Sequence, residues 1–150
     1  MDISKLRGES VKKTITSILS KLFCGICLVL IFLFGGVRLF GLTPLVVTSG
    51  SMAPKYQVGT VVYIKEVNPK DLRAGDDISF MFDSDTVATH RIVSIDQEQQ
   101  LVQTVGINNL DHDGQLINDS QPVKFSDIKG RVTYSVPKIG QLYLILHDLF

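Results

Sequence analysis

Residues 49–54 read Ser-Gly-Ser-Met-Ala-Pro, two hydroxyls flanking a glycine, and chemistry could start here. The glycine permits a sharp backbone turn, and Pro54 stiffens the chain beyond it. A serine on such a turn can present its hydroxyl, but it stays a weak nucleophile until a base lies within hydrogen-bond reach. The sequence has three histidines to offer as that base. His112 stands in an acidic loop and His147 in an apolar tail, whereas His90 lies between Thr89 and Arg91 in a run of strand formers. A neutral imidazole accepts a proton at neutral pH, and a sheet would hold it rigidly. Asp111, Asp113 and Asp119 are the candidates to orient the ring, which would complete a nucleophile, a base and an orienting acid. Lys65 would suit a serine–lysine dyad, but it sits beside Glu66 at a strand end and reads as solvated.

The elements that must position these residues begin with an apolar block. Leu22 to Val37 carries no charge, and Arg38 is followed by Leu39-Phe40-Gly41-Leu42. As a helix, residues 22–42 would measure about 30 Å, the thickness of a bilayer's hydrocarbon. A cleaved secretory signal has a shorter core and a small-residue cut site, which Gly41-Leu42-Thr43-Pro44 does not supply. The segment therefore reads as an uncleaved anchor. Lys5, Arg7, Lys12, Lys13 and Lys21 precede it and Arg38 alone follows closely, so the positive-inside rule keeps the N-terminus in the cytoplasm.

Charge supports the same division. The 150 residues hold 15 cations and 15 anions, yet residues 1–43 hold six cations against two anions and the remainder nine against thirteen. Basic residues gathered at one end, away from the acidic remainder, argue against a nucleic-acid binder. Two cysteines, Cys24 and Cys27, exclude a disulfide scaffold and a four-cysteine zinc site; no metal or organic cofactor is indicated.

Beyond the anchor the chain reads as strands. Residues 45–48, 58–67, 78–82, 86–95, 101–105 and 128–136 are rich in β-branched and aromatic residues and separated by turn signals such as Gly75-Asp76-Asp77. Residues 108–121 read as a polar loop, and no long 3.6-residue apolar period occurs. The fold class is mainly β, one domain after one N-terminal transmembrane helix. The tail, residues 139–150, is too short in apolar residues to span a bilayer and could lie against the membrane.

Ser49-Gly50-Ser51-Met52-Ala53-Pro54, directly after a single apolar span, resembles the nucleophile box of the type I signal peptidases. Gly75-Asp76-Asp77-Ile78-Ser79-Phe80 is similar to the family's Gly-Asp-apolar-x-Phe strand. Thr89-His90-Arg91-Ile92-Val93 falls where typical bacterial members carry a lysine base, and histidine there marks the endoplasmic-reticulum-like branch. Thr104-Val105-Gly106-Ile107-Asn108-Asn109 resembles the box written Lys-Gly-Asp-Asn-Asn, and Ile128-Lys129-Gly130-Arg131-Val132 resembles the closing strand. The matches run in order over roughly residues 20–142.

The resemblance implies a membrane-bound serine endopeptidase that removes signal peptides from exported preproteins, cutting after small residues. It implies Ser51 as nucleophile, His90 as general base, and Ser49 or the Ser51 backbone N–H as oxyanion donor. Ile107 replaces the family's aspartate, so the orienting acid is Asp113 by its spacing from Asn109 or Asp119 by its spacing from Pro122-Val123. Asp113 is favoured, with Asp111 third. The expected organisation is a basic cytoplasmic N-terminus over 1–21, an anchor over 22–42 and an extracytoplasmic catalytic β domain over 43–150. The implied partners are preprotein signal peptides, the lipid bilayer and the secretion translocon, with no nucleic acid and no cofactor. The implied location is the plasma membrane, or the endoplasmic reticulum membrane in a eukaryote. Two alternatives are a catalytically inactive relative assisting export or assembly of pilin or matrix proteins, and the self-cleaving repressor peptidases of related fold. The anchor and His90 in place of lysine disfavour the repressors.

Overall fold

A computed structural model describes the backbone of residues 3–141, 144 and 145, and the side chains of residues 12–141, 144 and 145. His147 and the side chains of Lys5 and Arg7 lie outside the described residues. The chain divides into two compact units between Phe40 and Gly41.

The first unit is one long α-helix, α1 (Ile3–Phe34), followed by a 3-10 turn over Gly36–Phe40. The helix starts nineteen residues before the expected apolar boundary at Leu22. A hydropathy edge marks a change of solvent, not of backbone. No proline interrupts residues 3–34, so the i to i−4 ladder runs on through the basic segment. It ends at Gly35-Gly36, where two poor helix formers meet and the next hydrogen bond, Arg38 N–H to Gly35 O, tightens to 3-10 spacing. The segment Lys12–Phe40 is long and apolar enough to cross a membrane, with a mean hydropathy of 2.5 in its most apolar window. None of that window is buried, and its apolar side chains emerge on every face, as a lipid-facing helix requires.

The second unit is mainly antiparallel β. Its strands are β1 (Leu42–Val46), β2 (Val61–Lys65), β3 (Asp77–Met81), β4 (Val87–Asp96), β5 (Leu101–Leu110), β6 (Leu116–Asn118), β7 (Val123–Lys124) and β8 (Ile128–Val136). They form one sheet in the order β1-β2-β8-β3-β4-β5-β6, with β7 also pairing β5. One apolar cluster gathers Leu72, Ile78, Phe80, Ile92, Val102 and Val123; another gathers Met52, Tyr56 and Val62 under Leu45, Val47, Ile107 and Val132.

Three expectations are corrected. β1 begins at Leu42 and carries Pro44, which is tolerated because β1 ends the sheet order and needs no second partner. Val58-Gly59 is not strand: Gly59 has φ +83 and Thr60 N–H donates back to Gln57 O, closing a turn. The polar stretch 108–121 is a hairpin rather than a loop. β5 runs on to Leu110, Asp111–Gln115 turn the chain, and β6 returns with Leu116 opposite Leu110.

Gly130 shows how tightly the middle of the sheet is packed. A Cβ there would lie 2.6 Å from the Lys65 carbonyl oxygen and 2.9 Å from its carbonyl carbon, backbone atoms that cannot swing aside. Overpacking of this kind costs about 1–3 kcal/mol. Gly130→Ala in the detergent-solubilised protein is expected to lower the unfolding free energy by that amount, read from its denaturant midpoint.

Candidate active site

The Ser51 turn hangs between two anchors. Below it, Met52 and Tyr56 are buried with Val62, and Tyr56 N–H donates to Met52 O at 2.9 Å. Above it, Asn108 of β5 holds both neighbouring carbonyls: its N–H donates to Ser51 O at 2.8 Å and its Nδ2 to Gly50 O at 3.0 Å. In a trans peptide the C=O and N–H point in opposite directions. Tying down Gly50 O therefore fixes the direction of the Ser51 N–H. Gly106 must be glycine for this approach, since a Cβ would lie 3.0 Å from Ser51 O and 2.6 Å from Asn109 Nδ2.

His90 comes from the centre of the sheet. β3 pairs with β4 so that Ile78 faces His90, and Ser79 and Thr89 share a side-chain hydrogen bond of 2.7 Å. The imidazole is buried, edge-on to the Phe80 ring with centroids 6.0 Å apart. Its Nε2 lies 3.1 Å from Ser51 Oγ and its Nδ1 2.6 Å from Asp119 Oδ2. Ser49 Oγ lies 3.2 Å from Ser51 Oγ. With the proton on Nδ1 donated to the carboxylate, Nε2 accepts from the Ser51 hydroxyl, the tautomer that leaves a lone pair aimed at the serine proton. The described side chains include no group of three or more histidine, cysteine, aspartate or glutamate residues that could hold a metal ion.

The carboxylate against His90 is Asp119, where spacing favoured Asp113. The hairpin explains the difference. Counting from Asn109 assumes a loop that curls back at once, whereas β5 extends to Leu110 and carries Asp111 and Asp113 to the exposed turn. There Asp113 N–H and Gln115 N–H both donate to Asp111 Oδ1, an arrangement that builds the turn. β6 then pairs Asn118 with Val105, which brings Asp119 back beside Thr104.

Sequence reasoning passed over Asp77, which is buried behind the site. It accepts hydrogen bonds from Lys55 Nζ, from Tyr56 Oη at 2.9 Å and from Arg91 Nε at 2.8 Å. Lys55 and Tyr56 follow the serine turn and Arg91 follows His90, so one carboxylate ties the two segments together. Its signal was present but unread: an aspartate opening a strand whose next residues are all apolar or small. Burial by itself would raise the Asp77 pKa, but the bonds from Arg91, Lys55 and Tyr56 outweigh it and hold the carboxyl below its ordinary value. Burial, followed by the bond to Asp77, holds the Tyr56 phenol well above its usual range.

A cavity of about 320 Å³ opens onto the serine and histidine, lined among others by Leu45, Val47, Ser51, Met52, Ala88 and His90. A serine–imidazole–carboxylate line with a buried imidazole, at the wall of a mostly apolar cleft, is an arrangement that can carry acyl transfer. The sequence is 37% identical over 102 residues to signal peptidase I W of Bacillus subtilis (strain 168), covering 66% of this chain and 50% of that protein. It is 27% identical over 108 residues to the signal peptidase complex catalytic subunit SEC11C of Canis lupus familiaris and of Homo sapiens, covering 69% of this chain and 56% of each. These similarities support assigning the chain to the type I signal peptidases. It spans about half the length of these signal peptidase relatives, and no protein-family model matches it.

Asp77 also makes a prediction about stability. A depressed carboxylate stabilises the fold above its unfolded value of about 3.9, and the contribution disappears as pH falls through the folded value. Removing one partner from a buried ion pair costs about 3–5 kcal/mol, and the partial exposure of Lys55 and Arg91 points to the lower end, about 3 kcal/mol. Asp77→Asn is expected to be destabilised by that amount at about pH 7 and by less at about pH 3, below the carboxyl's unfolded value. Denaturant titrations of both proteins at the two pH values test the sign.

Proposed function

We propose that the protein is a membrane-bound signal peptidase of the serine–histidine type, cutting signal peptides from exported preproteins after small residues. The reading rests above all on the hydrogen-bonded line from Ser51 through His90 to Asp119. Ser51 Oγ attacks the scissile carbonyl carbon while His90 Nε2 takes its proton, and Asp119 steadies the imidazolium through Nδ1–H. The tetrahedral oxyanion is held by the Ser51 N–H and the Ser49 hydroxyl, donors of the kind worth about 10²–10³ in rate. On collapse the C–N bond breaks, His90 returns the proton to the leaving amine, and the signal peptide remains as an ester on Ser51. A water deprotonated by His90 then hydrolyses that ester and restores the serine.

The sheet supports an extended substrate. β3 pairs with β4 from Val87 to Arg91, but β5 joins β4 only from Arg91 onward. β1 is a terminal strand. The second backbone edge of Val87–His90 and the outer edge of β1 can therefore each pair with an incoming strand. Leu45, Val47 and Ala88 narrow the cleft beside such a strand, which suits small side chains near the cut.

The apolar helix anchors the enzyme in the plasma membrane, or in the endoplasmic reticulum membrane in a eukaryote. The cations of residues 1–21 stay on the cytoplasmic side, and the β domain stands outside. Anchoring confines enzyme and preprotein to one plane beside the secretion translocon and raises their effective concentration.

The detergent-solubilised protein is expected to convert a preprotein into mature product, with Ser51→Ala and His90→Ala each slowing the cut at least about 10³-fold. Cleavage by Ser51→Ala at the wild-type rate would overturn this reading. The two acids separate cleanly: Asp119→Asn is expected to lose about 10³–10⁴ in kcat, while Asp113→Asn keeps wild-type turnover. Product release followed by mass spectrometry measures both, and the opposite ranking would return the acid role to Asp113.

A further inference from the structure

We propose that Thr104 is a positioning residue that holds the Asp119 carboxylate for His90, a fourth member of the line that begins at Ser51. The proposal rests on the peptidase reading and extends it. Asp119 needs such help because of where it sits. It follows β6, a three-residue strand at the end of the sheet whose side chains are all exposed. The pairing of β6 with β5 is irregular between Val105 and Leu110. An edge of that kind does not by itself set two side-chain torsions to the accuracy that a 2.6 Å contact with His90 Nδ1 demands.

Thr104 supplies what the edge lacks. It is fully buried in the middle of β5, and its branched Cβ restricts its own torsion. Its carbonyl accepts the Asp119 N–H at 2.9 Å, and its hydroxyl donates to Asp119 Oδ2 at 2.6 Å. Neighbouring Gln103 donates Nε2–H to the Asp119 carbonyl at 2.7 Å. Backbone and side chain of Asp119 are thus fastened to the same two residues of a central strand. The hydroxyl bonds the same oxygen that accepts from His90, so it occupies one side of that oxygen and leaves the other for the imidazole N–H.

Two substitutions separate this role from simple packing. T104V keeps the branched shape and removes the hydroxyl, whereas T104S keeps the hydroxyl and removes the methyl. Positioning predicts that T104V lowers kcat about 10–100-fold with KM unchanged, the scale of one charge-assisted hydrogen bond, and that T104S restores it. It also predicts that the low-field proton resonance of His90 Nδ1–H broadens through faster solvent exchange in T104V and stays sharp in T104S. Packing alone predicts the reverse order, with T104S the weaker protein. Wild-type kcat and a sharp Nδ1 proton in T104V would overturn the assignment. Should T104V not fold, T104S decides: a kcat loss matching that of Asp119→Asn overturns the proposal, and wild-type kcat supports it. The resonance needs no turnover. A protein that cleaves nothing yet shows the T104V broadening would sink the peptidase reading and leave the role of Thr104 standing.

Discussion

His90 reaches both Ser51 and Asp119 because one strand, β5, is hydrogen-bonded to every segment that carries them. Its Asn108 holds the serine turn by two carbonyls, its Thr104 holds Asp119, and its pairing with β4 from Arg91 onward sets the height of His90. Side chains alternate across a strand, so slipping β5 by one residue would turn Thr104 and Asn108 away from the groups they hold. The absence of a side chain at Gly106 belongs to the same constraint, because the serine turn packs directly against that backbone.

A second tie works from behind. Asp77 bonds the residues that follow Ser51 and the residue that follows His90, so the serine turn and β4 are held together at two levels. Above Asp77 the ties are neutral hydrogen bonds from Asn108; at Asp77 they are charge-assisted and stronger per contact. The three donors on Asp77 explain why a carboxylate can remain ionised with its side chain almost wholly buried. The ion pairs thereby stabilise the scaffold, while the candidate chemistry sits in a cleft with largely apolar walls.

The helix and the β unit obey different solvents. In the β unit apolar residues gather into clusters such as those around Ile78 and Met52, and the exposed ones are scattered. Along α1 most of the large apolar side chains from Ile15 to Phe32 are exposed, which is stable only where the surroundings are themselves apolar. Backbone hydrogen bonding ignores that change of surroundings, and α1 consequently runs without a break from Ile3 to Phe34.

Local properties were legible in the amino-acid order: the lipid-length apolar block, the strand-rich remainder, the turn at Ser49-Gly50-Ser51 and the place of His90 within a strand. β8 is found where its β-branched residues put it, at Ile128–Val136. Each of these follows from composition or from a period of a few residues. The hairpin at 108–121 was not legible, because its polar residues lack the alternation that marks a half-buried strand. With the hairpin unseen, spacing favoured Asp113 over Asp119, and Asp77 read only as part of a turn. What faces His90 depends on how far β5 runs before it turns and on which residue of β6 returns opposite Thr104. Those are cross-strand distances, decided by pairing between segments far apart in the chain, and only the assembled sheet contains them.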